Sequence, residues 1–190
     1  MTASAAYSIC VGLEDEFLAF NRLVGVVRRR NLAIESLSIG SGQEAGVARV
    51  TIVVRADESA VDRLVRQIRK VIGVRGAAAE PEESVAAREL ALIRVRTTGR
   101  YGEVLDAAAR FGATVLEEAR DEALLEVTGP GPMVLSLIRA LEPFGVLDVA
   151  RSGVVAVSRP GTASAGFETE PIRNIDPERY QSVLTLRDDS

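Results

Sequence analysis

The sequence contains no histidine, no tryptophan and a single cysteine. Histidine is the commonest general base and metal ligand, so its absence removes the usual route to both kinds of chemistry. The one cysteine, Cys10, lies in an alternating apolar stretch, which predicts a small buried side chain rather than a disulfide or a reactive thiol. Because no phosphate-binding loop, serine nucleophile motif or zinc spacing is present either, we expect neither catalytic residues nor a metal site in this chain.

Long apolar runs and a positive net charge are also absent. No apolar segment approaches the roughly 20 residues of a membrane span, and the first residues lack the basic start and apolar centre of a secretory signal. The formal net charge of -4 argues against a nucleic-acid partner. We therefore expect a cytoplasmic protein without membrane or nucleic-acid contacts. For the basic run Arg28–Arg30, two interpretations stay open: a solvated helix end, where cations suit the dipole, and a contact with an acidic partner.

The residues that are present favour small sheets covered by helices. Hydrophobic residues make up 47% of the chain and aromatic residues only 4%, so the core must be aliphatic. In the first half, the patterns predict strands over 7–13, 34–39, 47–54 and 74–79. Two amphipathic helices separate them, and Asp57 is the predicted N-cap of the second. Their apolar stripes are Phe17, Phe20, Val24 and Val27 in the first helix and Val61, Leu64, Val65, Ile68, Val71 and Ile72 in the second.

The second half repeats this order of elements. A strand over 90–97 precedes a helix with an apolar stripe from Tyr101 to Phe111, and a hairpin follows over 114–128. Pro132 suits the first turn of a further helix, after which strands are predicted over 146–150 and 154–157. The predicted fold class is therefore α+β, with two tandem ferredoxin-like βαββαβ units whose antiparallel sheets are covered by helices.

Composition divides the chain into four parts. The first unit spans 1–79, an acidic and alanine-rich linker spans 80–87, and the second unit spans 88–159. Residues 160–190 read as a flexible tail, in which Asp176-Pro177 predicts the start of a short helix over 177–186; a docking helix and a frayed end both remain open. Small sheets leave open edge strands, so we expect a homodimer, formed chiefly by the first units, whose sheets continue across the interface. If the first strand lies at that interface, a charged residue in place of Ile9 should weaken the dimer.

Three segments carry a family resemblance. Residues 31–40 read NLAIESLSIG and are followed by the strand 48–54, residues 88–95 read RELALIRV, and residues 143–159 read PFGVLDVARSGVVAVSR. Together they resemble the small, regulatory subunits of acetolactate synthase (acetohydroxyacid synthase), an ACT-domain family. The resemblance covers about residues 7–159.

The resemblance implies a function without catalysis. It implies that the first unit is an ACT domain, that two such domains pair side by side, and that a branched-chain amino acid, usually valine, binds between them. It implies a catalytic subunit that is activated by this chain in valine, leucine and isoleucine biosynthesis and that carries thiamine diphosphate, magnesium and FAD, with no cofactor in this chain. A stand-alone amino-acid sensor and a structural scaffold of the synthase complex are the alternatives.

The resemblance also locates the effector site, and this sequence departs from the family pattern there. The family motif Glu-Asn-x-x-Gly falls on Glu14–Leu18, with Asp15 in place of the asparagine and Leu18 in place of the glycine. A second family asparagine, before Ile34, is replaced by Ala33. The candidate effector residues are therefore Glu14, Asp15, Leu18, Ala33 and Ile34. Because three of these positions have changed, we expect a weakened response to valine with activation retained.

Overall fold

The N-terminal unit has the order βαββαβ. The computed structural model describes residues 4–14, 17–30, 32–42 and 46–162. Every element predicted in this unit is present, and most strands extend a few residues beyond their predicted ends. The bounds are β1 Ala5–Glu14, α1 Phe17–Arg28, β2 Ala33–Ser41, β3 Val47–Ala56, α2 Glu58–Ile68 and β4 Val74–Pro81.

The four strands of this unit form an antiparallel sheet in the order β2-β3-β1-β4. β1 pairs with β3 along its whole length and with β4 on its other side. The condition set for Ile9 is therefore not met, since β1 is a central strand and Ile9 is fully buried in the core beneath the helices. The open edges of this sheet belong to β2 and β4.

Helix α2 begins at the predicted cap but ends earlier than predicted. The Asp57 carboxylate accepts a hydrogen bond of 2.9 Å from the Ala60 amide, which satisfies a free N–H of the first turn. The apolar stripe is buried from Val61 to Ile68. Beyond Ile68 the backbone turns toward Gly73, which has a φ of +94°, and Ile72 is therefore 75% exposed instead of buried.

Helix α1 is rotated relative to its predicted stripe. Val24 is 37% exposed, whereas Ala19, Leu23 and Val26 are buried with Val27. A Cβ built on Gly73 would lie 2.6 Å from the Cβ of Ala19, so a small residue of α1 packs closely against the turn before β4. This backbone-to-helix contact sets the rotation of α1, and hydrophobic periodicity alone does not reveal it.

The second unit repeats the topology, as predicted. Its sheet has the order β6-β7-β5-β8, β6 and β7 form the predicted hairpin, and Pro132 lies in the first turn of α4. The core residues of its helices are fully or almost fully buried: Val104, Ala108, Val134, Leu137 and Leu141. The bounds are β5 Val85–Arg96, α3 Tyr101–Ala109, β6 Thr114–Glu118, β7 Glu122–Gly129, α4 Gly131–Leu141, β8 Val146–Arg151 and β9 Val155–Ser158.

Regular structure replaces the predicted linker over 80–87. β4 continues to Pro81, a 3-10 turn occupies Glu82–Ser84, and β5 begins at Val85. The first four residues of β5 pair with β9, and the remainder pairs with β7 and β8. The long strand β5 therefore takes part in two pairings, one with β9 and one within the second sheet. The two units are joined without an irregular segment.

The helix predicted over 177–186 in the tail lies outside the described residues. No helix in the described part of the chain is long and apolar enough to cross a membrane.

Candidate functional site

Glu14 is the last residue of β1 and is held by its surroundings. Its backbone amide donates to the carbonyl of Gly73 over 2.8 Å, and its carboxylate lies 3.2 Å from Nε of Arg75 at the start of β4. Both groups of this pair are substantially exposed, so the contact orients Glu14 more than it stabilises the fold. The β1–α1 loop that follows contains Asp15, which lies outside the described residues.

Leu18 lies in the first turn of α1, and its side chain is 60% exposed. Within one protomer it therefore projects outward rather than filling a cavity. In general, the amide groups and the positive dipole end at the start of a helix favour a carboxylate ligand.

Ala33 and Ile34 lie at the opposite end of the sheet. Ile34 is opposite Val54 on β3, whereas Glu14 is opposite Val47. These partners are seven residues apart on β3, which corresponds to about 24 Å along the strand. The structure therefore divides the four described candidate residues into two groups, with Glu14 and Leu18 at one end of the unit and Ala33 and Ile34 at the other. A single protomer does not bring them together.

An exposed apolar row connects these two ends. Ile34, Leu37 and Ile39 on β2 are 46%, 36% and 52% exposed. β2 is an edge strand, so its outer backbone groups are free to pair. This row was not predicted from the sequence, although its alternating apolar residues were a usable signal.

A basic cleft lies between the helices. It has a volume of about 470 Å³ and is lined by Val26, Arg29, Arg30, Gln67, Lys70 and Val71. Arg30 donates from Nε to Oε1 of Gln67 over 2.7 Å, which fixes one cation to α2. Arg28, Arg29 and Arg30 are all exposed, which fits both the solvated helix end and the contact with an acidic partner.

Cys10 faces the side of the first sheet that α1 and α2 leave uncovered. Burial raises the pKa of its thiol, and the nearby Arg49 guanidinium partly opposes that rise. The thiol lies 3.8 Å from the carbonyl oxygen of Ala156. Cys10 is thus a small buried side chain, as the sequence predicts, and the polar contacts around it belong to the packing of β9. Among the described residues, no group of three or more histidine, cysteine, aspartate or glutamate side chains is placed to hold a metal ion.

Two known families match the sequence. Residues 88–160 match the family "Small subunit of acetolactate synthase". Residues 19–76 match the family "AHAS small subunit-like ACT domain". Each match covers most of one structural unit.

Full-length relatives agree with these matches. The acetolactate synthase small subunit of Mycobacterium leprae is 34% identical over 160 residues, which cover 84% of this chain and 95% of that protein. The acetolactate synthase small subunit of Bacillus subtilis is 35% identical over 141 residues, which cover 73% of this chain and 82% of that protein. Both units and their order are therefore shared with these relatives.

A solved structure shares the fold. The crystal structure of the acetolactate synthase small subunit of Thermotoga maritima superposes with a TM-score of 0.75 at 24% sequence identity, and the match covers 83% of this chain and 99% of that chain. This likeness confirms the predicted pair of ferredoxin-like units.

Proposed function

Because the chain belongs to the family of acetolactate synthase small subunits, and is thus a regulatory rather than a catalytic subunit, we propose that it binds the catalytic subunit of acetolactate synthase and raises its activity. This activity would serve the biosynthesis of valine, leucine and isoleucine. The observation that carries the proposal is the match of both units, in order, over 95% of the length of a relative with that name. The cofactors, namely thiamine diphosphate, magnesium and FAD, would reside in the catalytic subunit.

We further propose that the chain forms a homodimer through β2. The exposed apolar row of β2 and the unpaired outer edge of this strand support an antiparallel pairing of β2 with β2 of a second copy. Such a pairing obeys two-fold symmetry, as most homodimer contacts do. It would extend the sheet from four strands to eight and remove one exposed edge from each protomer.

This pairing would also assemble the effector site. In an antiparallel β2 pair, the start of one β2 lies beside the end of the other. Ala33 and Ile34 of one protomer would then approach the end of the sheet that carries Glu14 and Leu18 in its partner. The division of the candidate residues over about 24 Å within one protomer therefore supports an effector site between two protomers, with two copies per dimer.

Rate measurements on the catalytic subunit test the proposal. The catalytic subunit should turn over faster with saturating amounts of this chain than alone, and this chain alone should form no acetolactate. Parallel assays with valine, leucine and isoleucine measure the effector response. Co-purification with an unchanged rate and unchanged substrate affinity would instead indicate a structural scaffold. Failure to bind the catalytic subunit would indicate a stand-alone sensor.

A further inference from the structure

A short segment of the second unit crosses the helix-free face of the first sheet. Residues 153–158 follow β8 and include β9, and alternate residues of this segment contact the first unit. Val154 contacts β2, Ala156 contacts β3 and β1, and Ser158 contacts β4. We call residues 153–158 the strap.

Two serines of β2 hold the backbone of Val154. Ser38 donates from Oγ to the Val154 carbonyl over 2.6 Å, and the Val154 amide donates to Oγ of Ser36 over 2.8 Å. The two hydroxyls thus satisfy both backbone groups of one residue, as a neighbouring strand would. Gly153 fits closely beside them, because a Cβ there would lie 3.0 Å from Ser36 Oγ and 3.2 Å from the Leu37 carbonyl oxygen.

The far end of the strap is held by charged side chains. Arg49 on β3 donates from Nη2 to the Ala156 carbonyl over 2.9 Å. Ser158 donates from Oγ to Oε1 of Glu80 on β4 over 2.6 Å, and Glu80 is buried.

The dimensions of the sheet explain this order of contacts. Three inter-strand spacings separate β2 from β4 and amount to about 14 Å. The four residue steps from Val154 to Ser158 span about 13 Å in an extended chain. The strap therefore runs across the strands of the first sheet. Every second residue of the strap, namely Val154, Ala156 and Ser158, reaches the next contact on that sheet.

The strap is also tied to the second sheet. The amide of Ser152 donates to the Leu90 carbonyl on β5 over 2.9 Å, and the Leu90 amide donates to Ser152 Oγ over 3.0 Å. β9 pairs with the first residues of β5. A displacement of β2 would therefore move Val154, and through Ser152 it would act on β8 and β5.

We propose that the strap transmits conformational changes between β2 and the second unit, in both directions. Such coupling must be reciprocal, since one free energy links the two ends. Side-chain hydrogen bonds hold the strap on the first sheet at discrete points, so it can be released locally while both cores stay folded. The role of this coupling in regulation rests on the proposed function, because β2 is the proposed dimer edge and adjoins the proposed effector site.

Hydrogen exchange of the full chain tests the transmission without the catalytic subunit. The variant Ser36→Ala/Ser38→Ala removes the two serine hydroxyls that hold Val154, which we call the clamp. Ser41→Ala is the matched control, because Ser41 lies on the same strand. We expect amides of 153–158 to exchange at least about tenfold faster in the double variant, since two hydrogen bonds are lost. We also expect faster exchange in β8, and neither change in the control.

Gly153→Ala alters the strap and tests whether the change reaches β2. Gly153 has a φ of +76°, where a Cβ is strained, and this Cβ would also press on β2. We expect faster exchange in β2 as well as in the strap. If the amides of 153–158 exchange at an unchanged rate in the serine variant, the two serines do not hold the strap. If faster exchange is confined to 153–158, the strap does not transmit changes to the second unit.

Activity measurements separate this inference from the proposed function. If the unmodified chain does not activate the catalytic subunit, the proposed function fails. The exchange data still decide whether the strap couples β2 to the second unit. If the unmodified chain and Ser41→Ala activate equally, we expect Ser36→Ala/Ser38→Ala to give a lower maximal rate. An undiminished maximal rate in that variant would overturn the regulatory meaning of the strap.

Discussion

Arg151 on β8 donates a hydrogen bond of 2.5 Å from Nη2 to Oε1 of Glu89 on β5. The glutamate side chain is 1% exposed and the arginine side chain 38%. A Cβ on Gly131, the first residue of α4, would lie 3.5 Å from the same oxygen. The carboxylate therefore lies near the amino end of α4, where the helix dipole favours negative charge. The pair joins two strands and a helix of the second unit just before the strap begins.

Removing the arginine should destabilise the second unit. Arg151→Met leaves the buried Glu89 carboxylate without its cation, and we expect a loss of about 2 to 4 kcal/mol in the free energy of unfolding, below the full cost of a buried pair because the arginine is partly exposed. Urea denaturation measures it. Arg94→Met is the control, since its pair with Glu122 spans 3.9 Å between exposed side chains and should contribute less than about 1 kcal/mol. Equal losses in the two variants would contradict the assignment.

The cap of α2 should make stability depend on pH. Hydrogen bonds to the Asp57 carboxylate, from Ser59 first and then from the Ala60 amide, lower its pKa. A carboxyl whose pKa is lower in the folded state stabilises the fold above its unfolded pKa, and this contribution is lost as pH falls through the folded pKa. We expect Asp57→Ala to lower the Tm near neutral pH, with a difference from the unmodified chain that shrinks between about pH 5 and about pH 2.

Asp57→Asn is the control for this pH dependence. Asparagine also caps helices well, but it does not titrate. Its Tm should therefore stay near that of the unmodified chain at neutral pH and should not show the same loss in acid. A difference between Asp57→Ala and the unmodified chain that stays constant across this pH range would contradict the role of the carboxylate.

A charge on β2 should dissociate the proposed homodimer. Ile39 is 52% exposed in one protomer, and Ile39→Asp would bury a carboxylate in an apolar interface. We expect a folded monomer by analytical ultracentrifugation, with an unchanged far-ultraviolet circular dichroism spectrum. Ile72→Asp, at a more exposed position outside β2, should remain dimeric. A dimeric Ile39→Asp would place the interface elsewhere.

Local patterns predicted the fold well because each unit is built from short-range signals. The stripe from Val61 to Ile68, the Asp57 cap and the hairpin of β6 and β7 all follow from residues close in sequence. Errors arose where distant contacts decide the structure. The rotation of α1 depends on Ala19 meeting Gly73, and the central place of β1 depends on strand order rather than on the apolarity of Ile9.

The candidate site was less predictable for the same reason. The sequence places Glu14 and Leu18 near one another, but nothing local indicates that Ile34 lies at the far end of the sheet. The sequence predicts the strand over 154–157 but not its course across the first sheet. Its only local signal is the alternation of Ser36 and Ser38 on a strand, and the partner of these hydroxyls lies 116 to 118 residues away.

The tail should contribute to assembly. Tyr180, Val183 and Leu184 would share one face of a helix starting at Asp176-Pro177, and so short a helix needs a surface against which to bury that face. We expect truncation after Arg159, which keeps β9, to weaken dimerisation or activation. Leu184→Asp in the full chain should have the same direction of effect. A truncated chain with undiminished dimerisation and activation would remove the reason for a docking helix.

Valine should inhibit weakly or not at all through this chain. The family asparagines would offer hydrogen bonds to the ligand, whereas Ala33 offers none from its side chain and Asp15 would repel a carboxylate. Each lost hydrogen bond to a charged ligand costs about 1.5 to 3 kcal/mol. Two losses weaken binding about a hundredfold or more. Calorimetry should therefore detect no micromolar binding of valine, while activation persists, and micromolar binding would refute the prediction.

Restoring the family residues should restore sensitivity. Asp15→Asn and Ala33→Asn return the hydrogen-bonding groups, and Leu18→Gly opens the approach to the helix start, since a residue without Cβ lets a ligand reach the backbone. We expect the triple variant to gain valine binding and inhibition, and Leu18→Gly alone to gain much less because the asparagines are still missing. Ile39→Asp added to the triple variant is the decisive control. If the site forms between protomers, a monomer holds only half of it, so sensitivity should vanish again; a monomeric variant that still binds valine would place the site within one chain.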